Sequence, residues 1–137
     1  MKQKGFDSFV NQRIWIIGAS SGIGEACALA FIKAGSRVAL SSRRAEKLNA
    51  IAQSAEPGQA LVLPLDVTQQ EQLISTYQAI LGTWGGLDLM LFVSGVYTPL
   101  RADNFEFEVA QKTIDANLLG PMRAVSIVLP NMLKEHA

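Results

Sequence analysis

The stretch Ile14–Ala30, IWIIGASSGIGEACALA, decides the fold. Its first four residues are β-formers, Gly18, Gly22 and Gly24 interrupt its middle, and its alanine-rich remainder favours a helix. A strand that turns through glycines into a helix brings the helix amino terminus to the strand's end. That terminus carries unpaired N–H groups and a partial positive charge. Glycines let a ligand come close to the backbone there, so the expected ligand is a nucleotide phosphate. The spacing is G-x-x-x-G-x-G and no G-K-[ST] follows, which argues against a P-loop.

Outward from this stretch, the apolar runs Arg13–Ile17, Arg37–Ser41, Ala60–Leu65 and Leu87–Val93 do not alternate with polar residues. They read as strands covered on both faces. Between them apolar residues recur at helical spacing: Ile23, Cys27, Ala30 and Ala34, then Leu48, Ile51, Ala52 and Ala55, then Leu73, Tyr77, Ile80 and Leu81. Thr68 with Glu71, and Asp103 with Glu106, have the offset of a capping box, and Gly35 stands where the first helix should end. Strict alternation predicts an α/β fold. The expected form is a doubly wound parallel sheet of Rossmann type, with right-handed crossovers and strand order 3-2-1-4, incomplete at its carboxyl side. In that order the third strand is an edge, where Pro64 is tolerated. Ligands of such sheets bind at the carboxyl ends of the strands, which is where the glycines lie.

With 137 residues, 49% of them hydrophobic, the chain suffices for one domain that buries roughly two thirds of its unfolded surface. Twelve Lys plus Arg balance twelve Asp plus Glu, so no net field draws nucleic acid or an anionic membrane. No apolar stretch reaches the ~18 residues of a membrane span. The run Ile14–Ile17 is too short for a signal sequence, so a cytoplasmic protein is expected. The single cysteine, Cys27, excludes an internal disulfide and reads as a small core residue. His136, the only histidine, reads as solvated, and without a ligand cluster no metal is expected.

In these features the sequence resembles the short-chain dehydrogenases and reductases. The matching residues, in order, are Gly18-Ala-Ser-Ser-Gly22-Ile-Gly24, Asp66-Val67 after the third strand, Leu87-Asp88 opening the fourth, and Asn117 in a later helix. Two departures stand out. Ile17 occupies the place of the family's usual threonine, and Phe92-Val93-Ser94-Gly95 that of its Asn-Asn-Ala-Gly. The resemblance implies dinucleotide contacts at Gly18, Ser20, Ser21, Gly22, Ile23 and Gly24 in the loop, at Asp66 and Val67, and from the backbone of Ser94 and Gly95.

Cofactor choice is set at the end of the second strand, where an acidic residue would bind the ribose hydroxyls of NAD. Here the strand ends LSSRR, and Ser42, Arg43 and Arg44 offer a hydroxyl and two cations to a 2′-phosphate. NADP(H) is therefore expected over NAD(H), with Ser20 adding a second hydroxyl. Two arginines at a helix start oppose the helix dipole unless an anion joins them.

Of the catalytic set that the resemblance implies, asparagine, serine and Tyr-x-x-x-Lys, only the asparagine has a match, Asn117. Tyr77 is followed four residues later by Leu81, and Tyr97 by Arg101 across Pro99. Residues 1–137 thus read as the amino-terminal, NAD(P)-binding portion of a longer single-domain enzyme. Pro121 lacks the N–H that would pair with the Asn117 carbonyl, so this carbonyl is expected free in mid-helix, able to hold a water. Two functions remain open. One is an NADP(H)-dependent oxidoreductase moving a hydride between nicotinamide and a small carbonyl or alcohol substrate, with Tyr97–Leu100 forming one wall of the pocket. The other is a non-catalytic dinucleotide-binding module. The resemblance also implies a homo-oligomer.

Overall fold

The computed structural model describes residues 6–135; Met1–Gly5, His136 and Ala137 lie outside the described residues. A single 3-10 turn leads into β1 (Arg13–Ile17), α1 (Gly22–Lys33), β2 (Arg37–Ser41), α2 (Ala45–Ala52), β3 (Ala60–Val62), α3 (Gln70–Trp84) and β4 (Leu89–Phe92). Then α4 (Phe107–Ile114) runs through one wide π turn, Asp115–Leu119, into α5 (Gly120–Glu135). The strands are parallel and ordered β3-β2-β1-β4, as the alternation predicts.

The strand sequences lack alternation because both faces are covered. Ile14, Ile16, Val38 and Leu40 are buried on one side with Ala28, Ile32, Leu48 and Ile51. Trp15, Ile17 and Ala39 are buried on the other with Leu73, Tyr77, Ile80, Ala124 and Val128. The expected faces of α2 and α3 hold. That of α1 does not: its buried stripe is Gly24, Ala28 and Ile32, while Ile23 is exposed and Cys27 only half-buried. Two of the three residues in that stripe are small, and Gly24 sits where a Cβ would meet the Gly18 carbonyl.

The expected boundaries also move. Strand β3 ends at Val62, yet the Leu63 and Leu65 N–H groups still donate to the carbonyls of Leu40 and Ser42 at 2.9 Å. The residue between them, Pro64, therefore faces away from β2, and on this edge its missing N–H breaks no ladder bond. Neither expected capping box forms. The Thr68 N–H and hydroxyl both go to the Asp66 carboxylate, at 2.9 and 2.8 Å, and α3 starts later, after Gln69. Asn104 closes its own turn onto the Arg101 N–H at 2.6 Å, and α4 starts after Glu106. Gly35 ends α1 as expected: its φ is +83°, and the N–H groups of Gly35 and Ser36 reach back to the carbonyls of Ile32 and Phe31.

At the amino ends of the strands Arg13 is held by two carboxylates. Its Nε and Nη2 donate to the two Asp88 carboxylate oxygens at 3.0 and 2.8 Å, and its Nη2 also meets Glu135 at 3.2 Å. Asp88 accepts the Arg13 backbone N–H as well, at 2.8 Å. These carboxylates hold the already cationic Arg13 even more firmly protonated.

Candidate cofactor-binding site

The glycine loop is built by packing before any ligand is considered. Gly18 has φ +97°, and a Cβ there would lie 2.5 Å from the Ser94 backbone nitrogen. A Cβ on Gly24 would run into the Gly18 carbonyl. These two glycines let the loop lie flat against the segment after β4 and let α1 lie flat against the loop. Gly22, at φ +55°, has nothing within 4 Å of such a Cβ, so it answers to backbone conformation alone. Ser21 occupies the N-cap position of α1 but gives it no side-chain cap. Its hydroxyl instead accepts from Arg44 Nη2 at 3.1 Å, beside the Ser20 hydroxyl at 3.0 Å. The first N–H groups of α1 thus lack a capping side chain, as an anion site requires.

A cavity of about 880 Å³ opens at the carboxyl ends of the strands. From the glycine loop it is lined by Gly18, Ser20 and Ser21, and from the end of β2 by Ser42, Arg43 and Arg44. Asp66 and Val67 line it after β3, and Ser94 and Gly95 after β4. Of the loop residues singled out by sequence, Gly22, Ile23 and Gly24 lie outside this lining, and Ile23 points into solvent. Arg44 also takes the N-cap position of α2, and its own N–H donates to the Ser42 hydroxyl at 3.1 Å. Asp66 is held below the usual carboxylate range, chiefly by the Thr68 backbone N–H, with the Thr68 hydroxyl and the Arg43 charge acting in the same direction. Gln72 fixes the same turn by accepting the Asp66 N–H at 2.8 Å.

Sequence reasoning missed the far wall. Val109, Lys112, Thr113, Asp115 and Ala116 face the cavity from α4 and the wide turn. The signal for that turn was Pro121, which cannot donate to the carbonyl four or five residues back. The Gly120 N–H instead reaches the Asp115 carbonyl, five residues back. Within the turn, Asn117 does not line the cavity. Its side chain accepts the Val96 N–H and donates to the Val96 carbonyl, both at 2.7 Å. The chain after β4 is therefore tied down by Asn117, although the strand lacks the asparagines of the resembled pattern.

A profile of the short chain dehydrogenase family matches residues 12–137. The chain belongs to the short-chain dehydrogenase family. An uncharacterized oxidoreductase of Staphylococcus aureus strain MW2 is 32% identical over 122 residues, covering 89% of this chain and 53% of the relative. The crystal structure of a short-chain type dehydrogenase/reductase from Mycobacterium marinum superposes with a TM-score of 0.87 at 30% identity, over 95% of this chain and 53% of that one. A short chain dehydrogenase from Bacillus anthracis gives 0.83 at 25%, over 90% and 51%. The chain thus spans about half the length of the relatives it matches.

Short-chain dehydrogenases work with a nicotinamide dinucleotide, and the groups at this cavity fit one: uncapped helix N–H groups, three hydroxyls and two arginines beside a glycine loop. Neither tyrosine joins them. Tyr77 is buried on the α3 side of the sheet, stacked on Trp15 with ring centroids 6.1 Å apart. Burial pushes its phenol up and outweighs the nearby Asn131 amide, which pulls it down without a hydrogen bond of good geometry. Tyr97 is 86% exposed. Among the described residues no helix is long and apolar enough to cross a membrane.

Proposed function

We propose that this short-chain dehydrogenase domain binds NADP(H) in preference to NAD(H) and serves a cytoplasmic oxidoreductase acting on a small carbonyl or alcohol. The observation that carries the reading is the position of Arg44. Its guanidinium rests on the neutral hydroxyls of Ser20 and Ser21, with Arg43 alongside and no carboxylate at the end of β2. A dianionic 2′-phosphate would replace hydroxyl acceptors with charged ones, which strengthens each contact. The helix N–H groups beside Ser21 and the loop at Gly18 would hold the pyrophosphate, and the turn at Asp66 and Val67 would flank the adenine. When bound, the dinucleotide supplies the hydride chemistry. The chain's own residues bind and orient it, and Asn117 fixes the neighbouring backbone and offers its carbonyl to a relay water. The exposed stripe Met122, Val125, Leu129 and Leu133 on α5, with Leu118 in the turn before it, supports a homo-oligomer.

Titration of the whole protein with both cofactors tests this. A charge-assisted contact contributes about 1.5 to 3 kcal/mol, so Arg43→Ala and Arg44→Ala should each weaken NADP(H) binding roughly ten- to a hundredfold and leave NAD(H) binding nearly unchanged. Equal weakening of the two cofactors would sink the phosphate role.

A further inference from the structure

We infer that Arg123 is a positioning residue: paired with Asp115, it holds the wide turn between α4 and α5 and so keeps Asn117 seated on the backbone of Val96. A π turn is rarer and less favourable than the α-helical turns around it, so it persists where something holds it. Here the guanidinium of Arg123 contacts both acceptors of Asp115, eight residues earlier. Nη2 pairs with the carboxylate, and Nη1 lies 3.4 Å from the carbonyl that already accepts the Gly120 N–H. One planar fork thereby ties the first residue of the turn to the first turn of α5, which a lysine ammonium, a single point charge, cannot match.

Two residues into the turn comes Asn117, whose amide makes both hydrogen bonds to Val96. Beneath it lies Gly95, where a Cβ would come within 3.4 Å of Asn117 Oδ1, and Ser94 in turn packs against Gly18. A continuous line of contacts therefore runs from Arg123 to the glycine loop. Asp115 lines the cavity and Arg123 does not, so any influence of Arg123 on a bound molecule passes through the turn. In its bearing on catalysis the inference rests on the NADP(H) reading; in its bearing on Asn117 it stands apart from it.

The test is amide hydrogen exchange in the whole protein without cofactor. Arg123→Ala should speed exchange at Val96 about tenfold, while the amides of Ile14–Ile17 keep their protection. Arg123→Lys, which keeps the charge and is the gentler change should the alanine variant fail to fold, should speed it less but measurably. Unchanged exchange at Val96 in a variant with native strand protection would overturn the inference, as would an equal rise in the β1 amides, which would mean general loosening. In turnover, the Arg123→Ala variant should lose kcat with little change in KM for the dinucleotide; a loss confined to KM would also overturn it. Failure of the unaltered protein to bind either dinucleotide would sink the functional reading and leave the Val96 result to decide this one.

Discussion

Two arginines at opposite ends of the same sheet have opposite surroundings. Arg13, at the amino ends of the strands, is gripped by Asp88 and Glu135 and closes that end. Arg44, at the carboxyl ends, leans on two serine hydroxyls, and among the described residues no carboxylate pairs with it. A cation that already has its counter-charge is structural. One supplied only with neutral acceptors beside an uncapped helix terminus is an arrangement that supports the proposed contact with a phosphate.

The comparison breaks if the open end proves soft. Gly24→Ala places a Cβ against the Gly18 carbonyl, and the expected cost is about 3 kcal/mol or more in urea denaturation. A loss under about 1 kcal/mol would mean that the glycine loop yields. Next in size, Asp88→Ala leaves the Arg13 guanidinium, whose side chain is only 20% exposed, with its main partner gone. About 2 kcal/mol of stability should disappear with no change in dinucleotide affinity. Arg44→Ala is the converse, with stability within about 0.5 kcal/mol of the unaltered protein and the change confined to NADP(H) binding. An affinity change in the first of these two variants, or a stability change in the second, would merge the roles that the two ends keep separate.

The smallest effect sharpens the site itself. Because the Thr68 N–H lowers the Asp66 pKa in the fold, Asp66 adds stability that is present above the ordinary carboxylate pKa of about 4 and is lost as pH falls through the lowered value. In Asp66→Asn, stability at neutral pH should fall by under about 1 kcal/mol, since the group is partly solvated, and the acid limb of the stability curve should flatten. An unchanged acid limb would show that the Asp66 turn is not formed in solution.

Strand order, the glycine loop and the cations after β2 were legible in the sequence because each is written locally, in apolar runs and their punctuation. The face of α1 was not. Large apolar residues usually mark the buried stripe, but here two of its three residues are the small Gly24 and Ala28, and close approach to the Gly18 carbonyl keeps Gly24 small. The capping boxes failed to nearer partners: Asp66 takes the Thr68 N–H that Glu71 would have accepted, and Asn104 closes a separate turn onto the Arg101 N–H. Pro121 signalled an irregular helix, yet whether it would produce a kink or a wide turn depends on Arg123 and Asp115, which meet only in the folded chain. For the same reason sequence alone could not show Asn117 bonding to Val96, 21 residues away.

Pro64 has a consequence for colloidal behaviour. A strand on the rim of a sheet is a template on which another chain can add a strand, and proline, unable to donate, spoils that template on the rim formed by β3. The opposite rim, Leu89–Phe92 of β4, carries no proline or charge and, among the described residues, no covering strand. The β3 rim thus carries its own protection against self-templating, a protection that the sequence of β4 lacks.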